Sequence, residues 1–180
     1  MNINILIAGF GGQGVLFAGK FLVYAGMLAG KEISWLPSYG PEMRGGTANC
    51  SVILSDELIG SPVVDKPDVL IAMNLPSLDK FEAAVIPGGY IFLDSSLINR
   101  PPDRSGVICF EIPATRLADE NNLQGLANMV MLGYVVARRC LIPVEGLAEA
   151  MKKVIPERKI DMFDKNMRAL DLGLKYQEGG

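Results

Sequence analysis

The sequence contains no histidine. That removes the side chain most often used as a general base near neutral pH, and with it Ser-His-Asp and Cys-His arrangements and any imidazole-ligated metal site. Cysteine is scarce: Cys50, Cys109 and Cys140 lie far apart, with no C-x-x-C pair. Such spacing assembles neither a zinc site nor a four-thiolate iron–sulfur cluster within one chain, and free thiols suit a reducing compartment. Basic charge is in short supply as well. Lys and Arg number 17 against 20 Asp and Glu, for a net charge of −3, so there is no basic stripe to neutralise phosphates and nucleic acid is not an expected partner. Long apolar runs are missing too: the longest helical one, Leu126 to Ala137, contains Asn128 and runs into Arg138-Arg139, well short of the roughly 20 residues of a bilayer span. The chain opens on an apolar strand with no basic leader, so the cytoplasm is the expected location, without membrane contact.

What is present is apolar bulk. Hydrophobic residues make up 49% of the 180 and the mean hydropathy is +0.27. A chain of this length suits one domain, residues 1–180, with a large core and some apolar surface left for a partner.

The stretch that organises the rest is Gly9-Phe10-Gly11-Gly12-Gln13-Gly14. It follows the apolar run Ile3 to Ala8, which reads as a strand buried on both faces. A helix from Val15 to Ala29 follows at once, showing only Lys20 and Tyr24 as polar side chains, four apart and so on one face. Further strands are expected at Ile33 to Leu36, Val69 to Met73, Tyr90 to Leu93 and Val107 to Ile112. Thr47 to Leu54 and Leu58 to Ile59 read as a hairpin around Ser55-Asp56-Glu57, which places an antiparallel pair in a mostly parallel sheet. Ser77 is a candidate cap for a short helix through Val85, and Pro113 a candidate first residue for a helix through Asp119. From Gln124 onward the pattern is helical: Leu126 to Leu141, Val144 to Val154 and Ile160 to Tyr176. The first of these is apolar all round, which predicts a buried helix with Asn128 hydrogen-bonded. The fold class is therefore a three-layer α/β/α sandwich with a mixed, largely parallel sheet and a Rossmann-like opening βα unit.

Gly9, Gly11 and Gly14 satisfy G-x-G-x-x-G, the spacing that sets a phosphate against a helix N-terminus. A dinucleotide site also needs an acid at the end of the second strand to take the ribose hydroxyls. None stands there: Pro37 follows Leu36, and Glu32 precedes the strand, at the wrong end of the sheet. Nicotinamide binding is disfavoured. Two readings of the turn stay open, a ligand contact and a purely structural turn that lets the helix pack on the sheet. Gln13 carries an amide that can serve a phosphate or a neighbouring loop.

The segment Pro37 to Gly46, PSYGPEMRGG, is loop-like, holding two prolines and three glycines. Within it Tyr39, Gly40, Glu42 and Arg44 precede the Gly45-Gly46 step, whose successive N–H groups suit an anion nest. An arginine beside such a nest matches a carboxylate or phosphate, whereas a bland reading has Arg44 and Glu42 pin the loop to itself.

Taken in order, GFGGQG at 9–14, PSYGPEMRGGT at 37–47, SDELIGSP at 55–62, PDVLIAMN at 67–74, IPAT at 112–115 and NMVMLG at 128–133, with Asn166, Ala169 and Gly173 near the end, resemble the gamma subunit of 2-oxoacid:ferredoxin oxidoreductases. The YGPEMRGGT form is similar to that of the 2-oxoglutarate and branched-chain oxoacid enzymes. The resemblance implies a subunit, inactive alone, of a complex that oxidatively decarboxylates a 2-oxoacid with coenzyme A and reduces ferredoxin. Thiamine diphosphate with magnesium, and iron–sulfur clusters, carry that chemistry. No thiamine diphosphate motif is present in this chain, so alpha, beta and ferredoxin-like delta subunits are the expected partners. Homodimerisation of the isolated chain stays open. No catalytic or metal-ligating residue is expected here. The cofactor-binding candidates are Gly9, Gly11, Gly12, Gln13, Gly14, Tyr39, Gly40, Glu42, Arg44, Gly45 and Gly46, which touch either a ligand or partner subunits only. The competing class is a stand-alone nucleotide- or flavin-binding adaptor domain.

Overall fold

The computed structural model describes residues 2–38, 47–139 and 141–177. Its central strand is β1, Asn2–Phe10, paired on both edges. Ile3, Ile5 and Ile7 point to one face and Leu6 to the other, the two-residue alternation of a strand. Both faces are covered, so the run needs no polar residue between them. β1 pairs parallel with β4, Val69–Ala72, and β4 leads outward to β5, Tyr90–Asp94, and β6, Ile108–Ile112, all parallel. On its other edge β1 runs antiparallel to β3, Thr47–Ser55, which in turn pairs antiparallel with β2, Glu32–Ser38. The order across the six-stranded sheet is β2-β3-β1-β4-β5-β6, so the α/β fold with a mixed, largely parallel sheet is as expected from the sequence.

The antiparallel pair exists, but with a different partner. Leu58 and Ile59 form no strand, and Leu58 is 89% exposed. Two apolar residues offer too little to pair, and Ser55-Asp56-Glu57 lacks the glycine of a tight hairpin turn. Instead Glu57 N donates to Ser55 Oγ at 3.0 Å and the chain leaves the sheet. The hairpin is β2–β3, and β2 continues through Pro37, which sits opposite Cys50. Proline is tolerated there because β2 is an edge strand.

One face of the sheet carries α1, Val15–Leu28, α4, Ala127–Arg139, α5, Leu147–Val154, and α6, Asp161–Lys175, with α3, Ala114–Glu120, at the side. The opposite face is covered more thinly, by α2, Leu75–Phe81, with Val85 and Ile98. The cap of α2 is Asn74 rather than Ser77: Asn74 Oδ1 accepts from Ser77 N at 2.9 Å, and Pro76 lies in the first turn. Asn and Ser are both cap formers, but only a residue placed before the proline can leave the strand and still cap the helix.

α4 is buried from Asn128 to Val136 because α6 crosses it at very short range. At the crossing Gly133 faces Leu170 and Gly173 faces Val130, so close that a Cβ on either glycine would collide with the other helix's carbonyl oxygen. Backbone meets backbone here, which fixes α4 against α6.

Candidate functional site at the glycine turn

The chain leaves β1 at Phe10 and enters α1 at Val15, with Gly14 as N-cap at φ 71°. That left-handed conformation costs an L side chain about 1–2 kcal/mol. Space forbids one as well, since a Cβ on Gly14 would lie 2.5 Å from Asn128 Nδ2. Gly9 is similarly enclosed, its absent Cβ falling 2.7 Å from Gln13 Oε1, whereas Gly12 faces open space. Phe10, Gly11 and Gly12 are exposed.

Gln13 turns inward. Its Oε1 accepts from Phe10 N at 2.6 Å and from Asn74 Nδ2 at 3.0 Å, and its Nε2 donates to Met73 O at 3.0 Å. The amide thus ties the turn to its own strand and to the end of β4, choosing the neighbouring-loop option. On the other side Asn128 Nδ2 donates to Gly14 O at 3.0 Å. The same carbonyl accepts from Ala18 N at 2.9 Å, the first hydrogen bond of α1. Among the described residues α1 has no side-chain cap, and its first turn holds no acid, the setting in which a helix start attracts an anion.

Tyr39, Gly40, Glu42, Arg44, Gly45 and Gly46 lie outside the described residues. The strands that flank them are described: Ser38 ends β2 and Thr47 begins β3, opposite Phe10 at the end of β1. The glycine turn and both roots of the second loop therefore share the carboxyl end of β1 and β2.

Residues 4–176 match the pyruvate ferredoxin/flavodoxin oxidoreductase family. The chain belongs to that family. It is 41% identical, over 97% of its length, to the ketoisovalerate oxidoreductase subunit VorA of Methanothermobacter thermautotrophicus, and spans 36% of that relative. Among solved structures it is similar to the gamma subunit of a keto/oxoacid ferredoxin oxidoreductase from Geobacter sulfurreducens, with a TM-score of 0.82, 29% identity and 96% of each chain covered. It is also similar to the 2-oxoglutarate:ferredoxin oxidoreductase of Magnetococcus marinus with 2-oxoglutarate, coenzyme A and succinyl-CoA bound. That likeness has a TM-score of 0.85 and 26% identity, covering 99% of this chain and 32% of the other.

In this pyruvate ferredoxin/flavodoxin oxidoreductase domain the antiparallel β3 separates β1 from β2. At about 4.8 Å per strand, the end of β2 lies roughly twice as far from the glycine turn as in a Rossmann unit, where the two strands are neighbours. The position from which an acid would hold a ribose is displaced, and Ser38 rather than an acid occupies it.

Sequence reasoning placed neither Asn74 nor Asn128 at the turn, although both carried a signal: a polar amide ending a buried strand and another inside an apolar helix. Asp94 was missed altogether. Fully buried at the end of β5, it accepts from Ser96 N at 3.0 Å, Thr115 N at 3.1 Å and Thr115 Oγ1 at 2.6 Å, and so fixes the start of α3. Two clefts flank the turn. One of about 180 Å³ is lined by Gly12, Gln13, Thr115 and Asp119. The other, about 650 Å³, is lined by Gly14, Phe17, Asn128, Arg158, Lys159 and Asn166. Among the described residues no group of three or more His, Cys, Asp or Glu is placed to hold a metal ion, and no helix is long and apolar enough to cross a membrane.

Proposed function

We propose that this chain is a single-domain gamma-type subunit of a 2-oxoacid:ferredoxin oxidoreductase, and that its glycine turn faces the coenzyme A side of the assembled site. The observation that carries this reading is the match over residues 4–176 joined to the placement of the turn and the roots of the 39–46 loop at one end of the sheet. The donor chemistry fits an anionic, phosphate-bearing ligand: an uncapped helix start without acids, exposed Gly11 and Gly12, and Arg158 and Lys159 along the neighbouring cleft. Coenzyme A supplies the acyl acceptor. Gly11, Gly12 and the first turn of α1 would hold its phosphates, and Arg44, Gly45 and Gly46 are the further candidates for that role. Thiamine diphosphate, magnesium and iron–sulfur clusters belong to alpha, beta and delta chains in this reading, in the cytoplasm, with ferredoxin as the electron acceptor. The 41% identity to a ketoisovalerate subunit favours a branched-chain 2-oxoacid as substrate.

The test is reconstitution. The chain alone is expected to turn over no 2-oxoacid with coenzyme A and a viologen acceptor, and the complex is expected to require it. Turnover by the pure chain refutes the subunit reading, and submicromolar binding of FAD or NAD by the pure chain favours an adaptor instead. Arg44→Ala separates its two roles. If Arg44 serves the site, the free subunit keeps its melting temperature while the complex loses coenzyme A affinity. If it pins the loop, stability falls and kinetics do not.

A further inference from the structure

We infer that Asn128 is a positioning residue for the coenzyme A side of the site, acting through Gly14. The inference rests on the proposal that the glycine turn faces that cofactor. Gly14 O is shared between Ala18 N, inside α1, and Asn128 Nδ2, on α4. Among the described residues no other side chain bonds that carbonyl, and the N-cap itself, a glycine, has none to offer. The outer half of the turn is held separately, by Gln13 against Phe10, Met73 and Asn74. The chain between Gln13 and Gly14 is thus gripped from β4 on one side and α4 on the other, while Phe10, Gly11 and Gly12 stay exposed.

Asn128 is built to hold rather than to adapt. It is 4% exposed, and its Nδ2 lies 2.5 Å from where a Cβ on Gly14 would stand. Its Oδ1 is buried with no partner among the described residues, and Asn128 and Gly14 both line the 650 Å³ cleft. A buried amide with an unpaired oxygen costs free energy, so leucine would suit this apolar helix better if packing were the only demand. Behind it, α4 is locked against α6 by the backbone contact at Gly133 and Gly173. The helix layer thereby adds a hold on the α1 start to the one the turn's own glycines provide.

The experiment uses the reconstituted complex carrying Asn128→Ala, with Gly11→Asp as a second arm. Gly11 is exposed and outside the left-handed region, so the aspartate adds charge at the turn without backbone strain. Asn128→Ala is expected to raise KM for coenzyme A about tenfold, the size of one lost hydrogen bond in a preorganised site. The KM for the 2-oxoacid and the kcat at saturating coenzyme A should stay within twofold. An unchanged KM for coenzyme A, or equal rises for both substrates, overturns the positioning role. Gly11→Asp speaks to the underlying proposal: if it leaves coenzyme A kinetics unchanged, the turn does not face that cofactor. A rise with Gly11→Asp but not with Asn128→Ala removes only the role of Asn128. Should Asn128→Ala fail to assemble, amide exchange in the free full-length chain decides. Faster exchange confined to residues 18–21, the first hydrogen-bonded amides of α1, supports the inference, and unchanged exchange there, or loss of protection throughout α4 and α6, overturns it.

Discussion

Gly133→Ala sets two measurable effects against each other. Placing alanine for glycine in a helix interior gains about 0.8–1 kcal/mol from propensity. Against this, the new Cβ meets the backbone carbonyl of Leu170 rather than a side chain that can swing aside. The helices must part, loosening Val130, Tyr134, Ala169 and Leu170, all fully buried around the crossing. Overpacking costs about 1–3 kcal/mol, and a backbone obstacle belongs at the upper end. The expected net loss is therefore about 2 kcal/mol, which for a chain of this size lowers Tm by roughly 4–8 °C. Gly173→Ala meets Val130 O across the same gap and should cost a similar amount. The double variant supplies the sharper test. Once the first methyl has opened the crossing, the second enters space already made, so the pair should lose about 3 kcal/mol rather than about 4. Urea unfolding followed by circular dichroism, with matched m-values, measures all three. A Gly133→Ala chain as stable as the parent, or strict additivity in the double variant, refutes the reasoning.

Further outcomes follow from other contacts. Asn74→Ala removes the α2 cap and a partner of Gln13, and should cost about 1–2 kcal/mol of unfolding free energy, whereas Ser77→Ala should cost less because the Ser77 hydroxyl has no partner among the described residues. Cys50 is fully buried, with its thiol on Val15 O, and desolvation pushes its pKa up to about 11; site-resolved alkylation at pH 8 should leave it unmodified until the chain unfolds. Lys31, hydrogen-bonded to Asp56, holds that carboxyl down to about 2. A depressed carboxyl stabilises above its unfolded pKa near 4, and that contribution is lost as pH falls toward 2. An NMR titration should show the low midpoint rise toward the ordinary range in Lys31→Met.

The strands and helices were readable from run length and boundaries: β1 is a short, largely apolar run closed by the glycine turn, and α4 a longer run apolar all round. Pairing was less readable. The run Thr47 to Leu54 carries the pattern of a strand with a buried face, but nothing in it names β2 and β1 as its neighbours over Leu58-Ile59. The cap of α2 was ambiguous for a local reason, since Asn74 and Ser77 are both good caps and only the position of Pro76 separates them. At the site, the glycine spacing announced a strand-turn-helix junction. The direction of the Gln13 amide did not follow from it, because Met73 and Asn74 are brought there by the β1–β4 ladder. Asn128 was legible as a buried amide that needs a partner, while the identity of that partner is a tertiary fact. Glu42 and Arg44 fall outside the described residues, and their roles rest on the family resemblance and on the experiment above.

The bond from Asn128 to Gly14 spans 114 residues of sequence, and so has a consequence in time. Synthesis at roughly 5–20 residues per second separates the two partners by about 6–23 s. During that interval β1 and the glycine turn are already outside the ribosome, and β4 can arrive to engage Gln13, but the carbonyl of Gly14 has no amide to meet. A nascent chain arrested before residue 128 therefore presents the turn half-held, with α1 free to start elsewhere. The turn is completed only when α4 docks, and a ligand or partner that needs its finished form has nothing to recognise until the chain has been made past residue 128.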